Sequence, residues 1–261
     1  SDLPNKAYLS QRLEAFLEGT SIYEVALDRL RIFAAEQKFL IGVRLLAGSI
    51  DADRAGKAFS DLADLTIGAA LDAVVAEFAV RHGKVPGGCV AILGLGKLGS
   101  RELTAGSDVD LILLYDHDAD AEESDGQKPM APSQYYTRLT QRLIAAVSAP
   151  TAEGVLYELD LRLRPSGNKG PVATHIEAFR KYQQSEAWTW EHMALTRARA
   201  LCGDGSLMQE AEDIFRTVLD RKRDTAKIAK DVAGRSDLID QEKQPKEIGD
   251  RNMTAGGVIE L

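Results

Sequence analysis

The sequence predicts an α+β chain: a small mixed or antiparallel sheet embedded between N-terminal and C-terminal helical regions. Three observations carry this expectation. The first third shows long helical periodicity, the middle holds short apolar runs bounded by glycine and proline, and the gap between the first two of those runs is too short for a parallel crossover. The expected divisions are a helical region over 1–84, a core over 85–203 and a second helical region over 204–261.

Leu9, Leu13, Phe16 and Leu17 mark a leading helix. A second runs roughly from Ile22 to Leu46 and is apolar on more than one side (Leu30, Phe33, Phe39, Leu40, Val43, Leu46), which predicts thorough burial. From Phe59, the positions Leu62, Ala63, Thr66, Ile67, Ala70, Leu71, Val74, Val75 and Phe78 follow the spacing of one helix face. Val85-Pro86-Gly87-Gly88 breaks that pattern, and Cys89–Leu93 and Leu111–Tyr115 then read as buried strands. The acidic stretch between Asp116 and Pro132 reads as an exposed, mobile loop. Ser133 to Ser148 reads as a helix with Tyr136, Leu139, Leu143 and Val147 inward. Val155 to Leu163 alternates as a third strand, with Asp160, Arg162 and Arg164 on one face. Helices are expected from about Ile176 to Arg199 and from about Ser206, and the charged tail after Asp220 as a solvated helix.

Composition narrows the function classes. With 44% hydrophobic residues the chain is no disordered segment, and no apolar run approaches the roughly 18 residues that cross a bilayer. A net charge of −8 argues against non-specific nucleic-acid binding, which depends on basic neutralisation of phosphates. The two cysteines, Cys89 and Cys202, lack metal or disulfide spacing and read as small buried hydrophobes of a reducing cytosol. The opening Ser1-Asp2-Leu3-Pro4 reads as the start of a piece cut from a longer protein, with no signal peptide.

Gly94-Leu95-Gly96-Lys97-Leu98-Gly99 follows a strand and matches a dinucleotide fingerprint, with Asp116 where a ribose-binding acid belongs. The geometry opposes that reading, because only nine positions lead from Gly99 to Asp108, too few for a crossover helix. The same glycines suit a phosphate cradle at Gly99-Ser100, with a short helix beginning near Ser100. Asp108-Val109-Asp110 then enters a strand with both carboxylates on one face. They are either two solvated acids at a strand start or a divalent-cation site, whose hard oxygen ligands suit Mg²⁺ bridging to phosphates. Asp160 is the natural third ligand, and Arg162 and Arg164 offer guanidinium forks for phosphate oxygens. Together these parts suggest two-metal catalysis.

Gly99-Ser100 followed by Asp108-x-Asp110 resembles the signature of the DNA polymerase β-like nucleotidyltransferase superfamily. The stretches from Leu93 to Leu103, Ser107 to Leu111 and Asp160 to Gly167 are similar to bacterial glutamine synthetase adenylyltransferase. That family carries two such domains in tandem, one adding AMP from ATP to a tyrosine of glutamine synthetase and one removing it by phosphorolysis. Arg164-Pro165-Ser166-Gly167 and the run from Glu186 to Arg199 resemble the C-terminal, adenylylating half. The resemblance implies Asp108, Asp110 and Asp160 as catalytic metal ligands and Gly99, Ser100, Ser107, Arg162 and Arg164 as nucleotide-binding residues. It further implies ATP as substrate, glutamine synthetase as protein substrate, the PII regulatory protein as a partner of the full-length enzyme, and a cytoplasmic location without nucleic-acid or membrane partners. The removing half and a non-catalytic nucleotide-binding module remain the alternatives. Of the run from Glu186 to Arg199, the residues alone suggest that Trp188 and Trp190 pack in the core, while His192, Arg197 and Arg199 are candidates to reach a nucleotide.

Overall fold

The computed structural model describes residues 3–20 and 22–222. Among these residues, no helix is long and apolar enough to cross a membrane. The chain begins with three helices, α1 (Lys6–Leu17), α2 (Tyr23–Leu46) and α3 (Ala52–His82). Asn5 caps α1 by accepting from the Tyr8 amide, and Asp51 caps α3 by accepting from that of Arg54 at 2.8 Å. The periodic face of α3 is buried as its spacing requires, from Phe59 through Ile67 and Val74 to Phe78. Helix α2 departs from expectation. Only Ile41 is buried beyond Gln37, while Phe39 is 69% and Leu46 90% exposed. Apolar content on several sides of a helix signals available surface, and a neighbour covers only one side of this one.

Strands β1 (Cys89–Gly94) and β2 (Val109–Asp116) are joined through a single helical turn, α4 (Gly96–Gly99). They pair antiparallel, with Cys89 opposite Asp116 and Gly94 opposite Leu111. The short connection dictates this, and it excludes the βαβ unit a dinucleotide fold requires. Strand β3 (Leu159–Asp160) and strand β4 (Ala173–His175) both run parallel to β2, and β5 (Arg199–Gly203) pairs antiparallel with β1. The result is a mixed five-stranded sheet, ordered β3-β2-β1-β5 with β4 also beside β2.

Both faces of the sheet are covered, which explains why its two central strands are continuously apolar. Ile92, Leu111 and Leu113 join one continuous core with α1, α2, α3 and helix α5 (Pro132–Ser148). Leu93, Ile112 and Leu114 face α6 (Ile176–Ser185), α7 (Thr189–Leu195) and α8 (Gly205–Leu219).

Three expectations need correction. The third strand shrinks to Leu159–Asp160, because the Arg162 amide donates to Asp160 Oδ1 at 2.8 Å and turns the chain there. The helix expected from Ile176 to Arg199 splits at Glu186, and the chain after α7 becomes β5, so Cys202 lies on a strand. The loop from Asp116 to Pro132 is tied down rather than loose: Asp125, Gly126 and Lys128 donate amides to the carbonyls of Lys84, His82 and Arg81. Both thiols are partly buried, and desolvation raises them, Cys89 to about 11 and Cys202 to about 12. The tail after Asp220 lies outside the described residues, save Arg221 and Lys222.

Asp64 joins the helices to the sheet. Its buried carboxylate accepts from Lys6 Nζ at 2.7 Å and from both terminal nitrogens of Arg199, at 2.9 and 2.7 Å. Arg199 also donates to the Leu98 carbonyl in α4. Removing one partner leaves a buried guanidinium uncompensated, so Asp64→Ala should lower unfolding free energy by about 3–5 kcal/mol. Lys6→Ala, at the solvent side, should cost no more than about 1 kcal/mol. Urea titrations of both variants check the contrast.

Candidate active site

The site is built around the start of β2. A tight turn delivers Asp108: the Ser107 amide donates to the Thr104 carbonyl, and Ser107 Oγ accepts from the Thr104 amide at 3.2 Å. Asp108 is exposed, whereas Asp110, two residues on, is half-buried. The Asp110 carbonyl accepts from the Leu95 amide at 3.0 Å, which docks the turn after β1 against it. Gly96 has φ +54°, and a Cβ there would lie 2.3 Å from Asp110 Oδ2. Only glycine permits both the conformation and the approach.

Parallel pairing of β2 with β3 places Asp160 directly beside Asp110. Paired residues of neighbouring strands share a face, so the two carboxylates converge, with Asp108 next to them. The electrostatics agree. Burial, then Asp160, then Asp108 push Asp110 up to about 6, against the opposing pull of Arg162 and Arg197. Asp160 is instead held below the ordinary carboxylate range, chiefly by its hydrogen bonds from Arg162. The Arg162 guanidinium clasps both Asp160 oxygens. Asp160 is fixed from behind: Leu156 and Tyr157 donate amides to the Val147 carbonyl, and Lys38 Nζ donates to the Leu156 carbonyl at 2.7 Å. Lys38 lies 3.7 Å above the Tyr157 ring, and burial lowers its amine to about 8.

The phosphate-cradle expectation changes in detail. Helix α4 ends at Gly99 rather than beginning near Ser100, so its N-terminal end lies at Gly96, beside Asp110. The amides of Gly99 and Ser100 already donate to the carbonyls of Leu95 and Gly96, at 2.9 and 3.0 Å. Gly99 is small for another reason, since a Cβ there would meet the Arg197 carbonyl oxygen at 1.7 Å. The Ser100 hydroxyl belongs to a polar cluster, accepting from Arg197 Nη2 at 2.9 Å and contacting Glu102 at 2.9 Å. Arg197 also pairs with Glu102 at 2.6 Å.

Arg164 does not share a strand face with Asp160. It is 8% exposed, donates to the Leu161 carbonyl at 2.6 Å and to that of Gly170 at 3.3 Å, and so braces the 161–170 loop. Alternation in Asp160-Leu161-Arg162-Leu163-Arg164 mimics a strand, but the side-chain turn at Asp160 and Pro165 end the ladder. Of the later candidates, Arg197 reaches the site, Arg199 is committed to Asp64, and His192 Nε2 bonds the Gln183 carbonyl at 2.9 Å. Trp188 is 70% exposed, contrary to core packing, and Trp190 is partly buried. Sequence reasoning passed over Glu102, whose only signal is its place two residues after Ser100.

A cleft of about 430 Å³, bordered by Asp108, Ser148, Asp160, Arg162 and Asn168, adjoins the carboxylates. A larger one of about 850 Å³ between α1, α3 and β5 lacks convergent catalytic chemistry, so chemistry rather than volume locates the site. Among the described residues, no group of three or more His, Cys, Asp or Glu side chains is gathered tightly enough to hold a metal ion as it stands. The oxygens of Asp160 are bonded by Arg162. The donor set nevertheless suits a hard divalent cation: three neighbouring carboxylates, one of them, Asp110, pushed toward its protonated form by burial first and then by Asp160 and Asp108.

Because Asp110 binds its proton more tightly when folded than its ordinary value of 3.8 allows, its ionisation opposes folding. The Asp110 contribution to stability without metal is fullest below about pH 4 and is lost as pH rises through about 6. Asp110→Asn removes this penalty. In chelator, the variant should gain roughly 1–2 kcal/mol over the parent at pH 8 and much less at pH 4, after allowing for solvent screening. A pH-independent difference in urea melts would contradict it.

Residues 2–214 match the family model described as glutamate-ammonia ligase adenylyltransferase. The chain is 70% identical over its full length to a bifunctional glutamine synthetase adenylyltransferase/adenylyl-removing enzyme of Mesorhizobium japonicum, covering 26% of that protein. Proteins of the same description from Brucella suis and Bradyrhizobium sp. are 65% and 48% identical, over 100% and 99% of this chain and 27% and 26% of their own length. The chain thus spans about a quarter of the length of the curated relatives it matches. With its match extending over most of the sequence, through the carboxylate strands and the arginine that faces them, the chain belongs to the glutamate-ammonia ligase adenylyltransferase family.

Proposed function

We propose that this chain is the adenylylating part of its parent enzyme, transferring AMP from ATP to a tyrosine of glutamine synthetase with release of pyrophosphate. The observation that carries the reading is the register of β2 and β3, which sets Asp110 beside Asp160 with Asp108 adjacent. The assignment to the adding half rests on Arg164-Pro165-Ser166-Gly167 and the Glu186–Arg199 run, since the relatives' names cover both activities.

Asp108, Asp110 and Asp160 would hold Mg²⁺, which when bound supplies positive charge against the phosphates and makes the attacking hydroxyl more acidic. For Asp160 to serve as a ligand, Arg162 must release it, and the freed guanidinium then offers a fork to a phosphate oxygen. Arg197 supplies a second guanidinium across the site and pairs with Glu102 until a more strongly charged partner arrives. Ser100 contributes through its hydroxyl, because its amide is committed within α4, and Ser107 shapes the turn that presents Asp108. Gly99 admits the backbone leading to Arg197, and Arg164 keeps the Arg162 loop in place. In this reading the parent enzyme works in the cytoplasm, and the PII protein is a partner of the full-length enzyme.

The test uses the parent enzyme, ATP labelled at the α-phosphate, Mg²⁺ and glutamine synthetase, with label read on protein. Asp108→Asn or Asp110→Asn here should lower labelling by several orders of magnitude while leaving the fold intact. Near-normal labelling in either variant would sink the assignment. Loss of phosphate-dependent AMP release, with labelling retained, would assign the chain to the removing half.

A further inference from the structure

We propose that a second cleft, between the end of α3, the 126–130 loop and the middle of α5, binds a small phosphate-bearing ligand. The cleft has a volume of about 660 Å³ and is bordered by Arg81, Lys128, Arg138 and Arg142, with Phe78 and Met130 as its apolar part. No carboxylate borders it, although the whole chain carries a net charge of −8.

The four cations are unpaired. Among the described residues, the side chains of Arg81, Lys128, Arg138 and Arg142 make no ion pair or hydrogen bond, whereas Arg31, Arg101, Arg162, Arg164, Arg197 and Arg199 each hold a carboxylate or carbonyl. Their proximity is imposed by structure. The Lys128 amide donates to the Arg81 carbonyl at 3.1 Å, and His82 Nδ1 bonds the Lys128 carbonyl at 2.8 Å, so the loop is stapled to the end of α3. Arg138 and Arg142 lie one turn apart on α5, a like-charge spacing that disfavours the helix unless an anion lies between them.

The chemistry selects the ligand class. Guanidinium forks match phosphate oxygens bidentately, and the volume falls in the range of about 300–1,000 Å³ typical of small-molecule sites. Gathering in one concavity, rather than along a stripe, favours a compact anion over an extended polyanion. The cleft shares no bordering residue with the carboxylate cleft, yet α5 borders both, through Arg138 and Arg142 on one and Ile144 and Ser148 on the other. A ligand there would therefore bear on a helix that shapes the candidate active site.

Calorimetric titration of the 261-residue chain with tripolyphosphate, in chelator and low salt, tests the proposal. Saturable binding is expected, weakened at least ~10-fold by Arg138→Gln/Arg142→Gln and several-fold by Lys128→Gln. Lys128 lies on a loop, so its variant remains informative should the double variant fold poorly. ADP and adenosine distinguish the ligand's source: ADP tighter than tripolyphosphate, with adenosine inert, indicates a nucleotide, and equal affinities a free polyphosphate. The proposal is overturned by no saturable binding up to about 5 mM, by affinity unchanged in both cleft variants, or by a polyglutamate peptide binding where tripolyphosphate does not.

Discussion

The hydrogen-bonding register of β2 is the constraint on which the site depends. One edge of its first residues pairs with β3 and aligns Asp110 with Asp160, while the Asp110 carbonyl holds the Leu95 amide on the other side. A shift of one residue would turn every β2 side chain to the opposite face, sending Leu111 and Leu113 out of one core and Ile112 and Leu114 out of the other. Two buried faces therefore lock the register, and the locked register forces the acids together. Packing energy from hydrophobic burial maintains an electrostatic arrangement that would not assemble alone.

That arrangement is held in unequal balance. Asp110 is half-buried among like charges, and Asp160 is paired with Arg162. Groups with opposed shifts in one cleft are a recurring mark of functional sites, because a fold selected for stability alone would replace one acid by a neutral residue. Gly96 and Gly99 serve the same end by geometry. The first admits the Asp110 carboxylate and the second admits the backbone that leads to Arg197. The glycine run is thus a packing device around the acids at least as much as a surface for phosphate.

The helices behave as scaffold. Asp64 on α3 fixes Arg199 on β5, Asp61 pairs with Arg101 just after α4 at 2.6 Å, and Lys38 on α2 holds the segment before β3. Each contact reaches an element that carries or borders the carboxylates. The buried Asp64 pair is expensive to desolvate, and its bidentate geometry, with the added bond to Leu98, is what makes it tolerable.

The candidate carboxylates Asp108 and Asp110 were legible in the sequence because local rules single them out. Alternation places Asp108 and Asp110 on one face, a nine-position gap forbids a crossover, and the apolar runs 89–93 and 111–115 have one buried solution. Helices α1, α3 and α5 follow from periodicity for the same reason. Tertiary structure alone decided the rest. The Arg162 and Arg164 alternation looks like strand, but the Asp160 side chain captures the next backbone amide and splits the two arginines into an exposed partner and a buried brace. Strand β5 hides in a sequence with helical character because its pairing with β1 is non-local, and so do the fates of Arg197 and Arg199. Periodicity reports which residues share a face of their own element. Which neighbour that face meets depends on contacts distant in sequence, and those placed Asp160, Arg197 and the cationic cleft.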